Sequence, residues 1–197
     1  MRLRAFLLVP ALAAAVLAVG ASGASGATLF TSAAHTTRVT VGATATATLT
    51  SPVLDWTFAS VRFNACTHST LHFSLAQNNH TAVVANVVSG AFGPCVSPIT
   101  GNFATPWKLT VTGTGTMVGA FTRWSAAIDS FSFNQLGGSY SGNLTTGVTA
   151  TQPTTAAAPI CIHLANAAGF SGPLTGDGRI DASYCFSGTS AAFSLTN

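Results

Sequence analysis

Glutamate is absent from this 197-residue chain, and charge of either sign is scarce: seven Lys and Arg stand against four Asp, and only 6% of residues are charged. The four acids are Asp55, Asp129, Asp177 and Asp181. So few carboxylates leave little material for general acid and base chemistry. The basic residues are scattered, whereas nucleic-acid binding requires clustered Lys and Arg to neutralise phosphates. A nucleic-acid partner is therefore not expected. No Cys-x2-Cys pair occurs, which removes the commonest thiolate metal frameworks. Beyond the N-terminal region no apolar stretch reaches the length of a membrane-crossing helix, and the 3.6-residue periodicity of amphipathic helices is nearly missing.

The N-terminal region is different. Met1-Arg2-Leu3-Arg4 carries two positive charges, Ala5 to Val19 is an apolar run, and small residues fill Ala21 to Ala27. A basic start, a short apolar centre and a small-residue cleavage region are the parts of a secretory signal peptide. The apolar run would reach about 22 Å as a helix, short of the roughly 30 Å hydrocarbon core. The expectation is a cleaved signal over residues 1–26 and a single secreted domain over 27–197, with no membrane anchor in the mature chain. Without Arg2 and Arg4, five basic residues face the four aspartates, a net charge of about +1.

What fills the mature chain is Thr, Ser, Gly and aliphatic residues in alternation. Val39, Val41, Ala43, Ala45, Ala47 and Leu49 share one parity, and Thr40, Thr44, Thr46, Thr48 and Thr50 the other. That is a half-buried strand with hydroxyls outward. Ser51-Pro52 ends it. A run from Val53 to Phe63 changes parity near Ala59-Ser60, which predicts a bulge there. Further strands are predicted around Leu71–Leu75, Ala82–Val88, Trp107–Val111, Met117–Arg123, Ala127–Phe133, Gly138–Thr145, Ile160–Leu164, Gly178–Phe186 and Ser190–Leu195. Thr151 to Pro159 reads as a long loop. About ten short strands separated by Gly and Asn turns predict an all-β fold, an antiparallel sandwich or a partly closed barrel.

Four cysteines, Cys66, Cys95, Cys161 and Cys185, form an even set of the kind that pairs in exported proteins. Of the three connectivities, pairing of neighbours, Cys66–Cys95 and Cys161–Cys185, is preferred. In Ile160–Leu164, Cys161 and His163 leave the apolar parity. In Gly178–Phe186, Arg179, Asp181, Ser183 and Cys185 do so. If the two strands are antiparallel neighbours stapled by Cys161–Cys185, His163 falls opposite Ser183 and diagonal to Asp181. The expected result is an Asp181–His163–Ser183 cluster on the outer face of a sheet, a cross-strand hydrogen-bonded set rather than a catalytic triad.

Other candidates are weaker constellations. Cys66-x-His68-x3-His72 holds metal-ligand types, but paired cysteines account for it, and no metal or cofactor is expected. Gly176-Asp177-Gly178 reads as a turn rather than a calcium loop. Trp56 and Trp107 share parity with apolar neighbours and belong in a core. Trp124, beside Arg123 near a strand end, is the tryptophan expected to be exposed and available to a ligand. Asp129 shares parity with Phe131 and Phe133, so it is expected to point partly inward, with Arg123 as partner.

Ser32-Ala33-Ala34-His35-Thr36 resembles the segment around the catalytic His of trypsin-like proteases, and Gly169-Phe170-Ser171-Gly172-Pro173 the segment around their nucleophile. That resemblance implies His35 activating Ser171, with amides near Gly169 as oxyanion donors. Phe170 stands where the family has an acid, and no orienting Asp is in place. Over the mature chain, Cys66-Thr67-His68-Ser69-Thr70-Leu71, Pro106-Trp107-Lys108-Leu109-Thr110-Val111 and Arg179-Ile180-Asp181-Ala182-Ser183-Tyr184-Cys185 resemble uncharacterised secreted β-rich proteins of high-GC Gram-positive bacteria. The likeness implies export and paired cysteines, and no particular activity. The function expected is a non-enzymatic extracellular or envelope-associated domain that binds a glycan or a cell-surface protein. The alternatives are a serine hydrolase using Ser171 with His35, and a structural protein that self-associates.

Overall fold

A computed structural model describes residues 26–155 and 158–197. The signal peptide expected over 1–26 lies, but for Gly26, outside the described residues. Among the described residues there is no α-helix, only strands and one short 3-10 helix, Gly188–Ala192. The chain is all-β, as its alternation implies.

Eight strands close on themselves. In barrel order they are β11 (Cys161–Ser171), β10 (Gly138–Pro153), β9 (Phe121–Gln135), β8 (Trp107–Val118), β6 (Ala82–Phe92), β5 (Ser69–Asn78), β2 (Thr44–Leu49) and β12 (Gly178–Ser187), and β12 pairs with β11 to complete the ring. Every pairing is antiparallel. Closure removes the unpaired edges that would otherwise recruit other chains. A flap of two further strands, β3 (Leu54–Phe58) and β4 (Val61–Cys66), continues from β12, while β7 (Ile99–Gly101) adds to β9. The ends of the described chain, β1 (Thr28–Phe30) and β13 (Ser194–Thr196), pair with each other. Both disulfides join the expected neighbours, Cys66–Cys95 and Cys161–Cys185.

The barrel is filled by the inward parity of each strand: Leu71, Phe73 and Leu75 from β5, Trp107, Leu109 and Val111 from β8, and Ile180, Ala182, Tyr184 and Phe186 from β12 are all buried. One end holds an aromatic cluster, with Phe133 and Tyr140 stacked at 4.8 Å and Phe170 edge-on to Phe58, Phe131 and Phe133. The other end is closed by Leu29, Leu195 and Phe193 of the β1/β13 cap. Beneath that cap an apolar cavity of about 30 Å³ remains, room for about one water. The interior is therefore a packed core, and a ligand must be sought on the outside.

Several local expectations are corrected, each by backbone that parity cannot see. The strand expected from Val39 begins only at Thr44, because Gly42 turns the chain at φ +89° and leaves Val41 63% exposed. Ala59-Ser60 is not a bulge but the two-residue loop of the β3–β4 hairpin, with Phe58 paired to Val61 and both loop residues at positive φ. Ser130, at φ 57°, inserts an extra residue into β9, so Ile128 and Phe131 both face inward while Asp129 stays partly exposed opposite Lys108, not Arg123. The loop expected from Thr151 opens with three residues that still belong to β10. Ser190–Leu195, expected as a strand, is split: Ser190 to Ala192 end the 3-10 helix, and only Ser194 and Leu195 belong to a strand, β13.

Candidate functional site

The antiparallel register of β11 and β12 pairs Cys161 with Cys185 and His163 with Ser183, as the parity of the two strands requires once the disulfide is given. His163 Nδ1 lies 2.9 Å from Ser183 Oγ, and its Nε2 lies 2.8 Å from Thr151 Oγ1 on β10. A neutral imidazole donates from one nitrogen and accepts at the other, and hydroxyls rotate to suit either tautomer. Burial, with the Arg123 guanidinium nearby, lowers the His163 pKa from its ordinary value of 6.5, which favours this neutral form.

Asp181 does not join them. A bulge at Ala165-Asn166, with Asn166 at φ 52°, turns the Asn166 N–H toward Asp181, and Asp181 Oδ1 accepts it at 2.6 Å. The cluster is thus Thr151–His163–Ser183, with Asp181 set apart. Across the next pairing Asp181 faces Asp55 of β3. Asp55 accepts from Arg62 Nε at 2.6 Å and forms with it the ion pair seen among the described residues.

These side chains line one groove of about 790 Å³ on the outer face of the barrel. Its floor is Thr149, Thr151, His163 and Ser183. One wall is the tip of the β8–β9 hairpin, with Val118 and Phe121 exposed and Arg123 beside them; the other is Ser51-Pro52-Val53 and the two aspartates. Ser51 ties that wall to the floor: its Oγ accepts the Ser183 N–H at 3.1 Å and donates to the Val53 carbonyl at 2.8 Å.

The remaining sequence candidates fall elsewhere. His35 and Ser171 lie at opposite ends of the barrel. His35 Nε2 is 2.7 Å from Ser194 Oγ, by the β1/β13 cap, and its ring rests on Phe30. Ser171 pairs with Ser141 at the far end of β11, beyond Phe170 in the aromatic cluster. Gly169 sits at φ +124° with the Asn143 carbonyl oxygen where a Cβ would be, so the position requires glycine for packing rather than as an oxyanion hole. Trp124 is not exposed: it is 3% accessible, and its Nε1 donates to Asn197 Oδ1 at 3.1 Å. Cys66 is consumed by its disulfide, His68 is 3.1 Å from Thr67 Oγ1, and no group of three metal-ligating side chains comes together among the described residues.

No protein-family model, no curated protein and no solved structure matches the chain. The site must therefore be read from its own chemistry. In the groove, the Ser183 hydroxyl has an imidazole partner, but the other ring nitrogen meets a hydroxyl rather than a carboxylate. No acid orients the base as in a Ser-His-Asp arrangement. The Ser183 N–H is taken up by Ser51 Oγ rather than left free to serve as an oxyanion donor. What the groove does present is a set of neutral donors and acceptors, two carboxylates, one guanidinium and an exposed aromatic ring. Of these, the sequence alone brings forward His163, Ser183 and Asp181; Thr151, Phe121 and the Asp55 wall emerge only with the sheet order.

Proposed function

We propose that the chain is a non-enzymatic extracellular or envelope-associated binding domain whose ligand is a saccharide held in the outer groove. The observation that carries this reading is the Thr151–His163–Ser183 row on the floor of an open groove, with Phe121 on one wall and Asp55 and Asp181 on the other. Sugar hydroxyls both donate and accept, so they are matched by neutral imidazole, hydroxyls and carboxylates together. An aromatic ring offers a flat apolar face to the C–H side of a pyranose. Pockets of about 300–1,000 Å³ suit ligands of disaccharide size. Two disulfides, and the lack among the described residues of any helix long and apolar enough to cross a membrane, are compatible with export.

Titration of the labelled protein with envelope-derived oligosaccharides, followed by NMR, tests the proposal. Shifts confined to Thr151, His163, Ser183 and Phe121, lost in the Phe121→Ala and Thr151→Val variants, are expected. Binding that maps to another face, or no binding to any glycan fraction, would overturn it.

A further inference from the structure

The groove has a charge asymmetry that narrows its ligand. Each aspartate on one wall already has a donor: Asp55 has Arg62, and Asp181 has the Asn166 N–H. Arg123 on the other wall is exposed and has no carboxylate within ion-pair distance among the described residues. It stands directly opposite Thr151 across the β9–β10 pairing. Arg123, Thr151, His163 and Ser183 therefore form one continuous row across four strands, β9 to β12, starting in a guanidinium and ending in hydroxyls. A guanidinium matches a planar carboxylate with two parallel hydrogen bonds. Phe121, two residues from Arg123 and on the same wall, is placed for the ring that carries that carboxylate.

We infer that the groove selects an acidic saccharide, a uronic acid unit whose carboxylate engages Arg123 while its hydroxyls run along Thr151, His163 and Ser183. This rests on the saccharide reading above and makes it specific. A neutral sugar would leave Arg123 unmatched. A sulfated sugar would bring the charge in a tetrahedral group rather than the planar carboxylate that the guanidinium fork fits side-on.

The test compares three probes of one size by calorimetry at about 50 mM salt, where exposed charge pairs are still felt: digalacturonate, its methyl ester and a sulfated galactobiose. The ester keeps the shape and hydroxyls and removes the charge. Digalacturonate is expected to bind at least about tenfold more tightly than either of the others, a difference of about 1.4 kcal/mol. Arg123→Gln, an exposed substitution whose folding is checked by its melting temperature, is expected to erase that preference by bringing digalacturonate down to the affinity of the ester. Equal affinity for acid and ester, equal affinity for uronate and sulfate, or an Arg123→Gln variant that keeps the preference would each overturn the inference. In those cases continued binding of the ester would leave the broader saccharide reading standing, whereas failure of all three probes to bind would overturn the inference itself and count against that reading.

Discussion

His163 and Ser183 face each other across β11 and β12 with Nδ1 and Oγ 2.9 Å apart, two residues along from the Cys161–Cys185 bridge. The bridge and the polar contact are two consequences of one register, since a slip of one residue would send both to the core face. The bridge closes a loop with a sequence separation of 24. In the chain-entropy account a loop of that size contributes about 3–4 kcal/mol by restricting the unfolded chain. The paired Cys161→Ser and Cys185→Ser variant is expected to lose that much in urea unfolding, with the His163–Ser183 contact weakened in step. A loss below about 1 kcal/mol would mean that the strand pairing alone fixes the register.

The protonation of His163 gives a second prediction. Its folded pKa is lowered, first by burial and then by Arg123. The other charged groups lining the same groove are Asp55 and Asp181. The unfolded chain then binds the proton more readily than the folded one, so stability rises with pH in this range. The contribution is present above the ordinary value of 6.5 and is lost as pH falls below it. Thermal melts between about pH 7.5 and pH 5 should show an acid-side decline that is flatter in His163→Gln, which keeps a donor and an acceptor but cannot titrate. An identical decline in both proteins would place the responsible group elsewhere.

Strand alternation and cysteine parity made the barrel wall readable in advance. The inward sets of β5, β8 and β12 follow a strict two-residue period, and the β11–β12 register follows from it. Several of the misreadings occur where a residue other than glycine takes a positive φ, as at Ala59, Ser60, Ser130 and Asn166. Such residues carry no compositional mark, yet each inserts or turns one residue and reverses the parity downstream. The Asn166 bulge moved Asp181 off His163, and the Ser130 bulge broke the parity that seemed to join Asp129 to Phe131 and Phe133. Trp124 was misjudged for a different reason: it shares the inward parity of Ala126 and Ile128 on β9, and its Nε1 is met by Asn197, 73 residues away. Phe121 and Arg123 became groove residues only because β9 and β11 are both neighbours of β10.

Tyr184 is the core's buried polar anchor. Its hydroxyl donates to Ser69 Oγ at 2.9 Å across the barrel interior. Burial pushes its pKa far above the ordinary phenol value of 10.0, opposed in small part by the Ser69 hydrogen bond. Stability from the neutral phenol is therefore complete below about pH 10 and lost as pH rises above it. Tyr184→Phe keeps the ring and removes the donor, leaving Ser69 Oγ buried without it, at an expected cost of about 1–2 kcal/mol. Ultraviolet difference titration should show the Tyr184 phenolate only together with unfolding. A phenolate signal from Tyr184 in protein that remains folded would contradict the burial argument.

The β3–β4 hairpin offers a change in the stabilising direction. Its loop is Ala59-Ser60, at φ 46° and 66°, between the paired residues Phe58 and Val61. Two central residues at positive φ define the type I′ turn, whose twist matches the flanking strands and which favours Asn-Gly. Alanine and serine must hold their Cβ atoms against the following carbonyl, at a cost of about 1–2 kcal/mol for each residue. Both side chains are exposed, so replacing them disturbs no core packing. Glycine at position 60 would relieve the strain there, less the entropy it adds to the unfolded chain, and asparagine at position 59 tolerates the left-handed region better than alanine. The double variant Ala59→Asn, Ser60→Gly is expected to gain about 1 kcal/mol, read as a higher urea midpoint at unchanged slope. Ala59→Val, a β-branched residue in the same conformation, should lose a similar amount. A double variant no more stable than the parent would show that the flap is held by its pairing to β12 and the Cys66–Cys95 bridge rather than by its own turn.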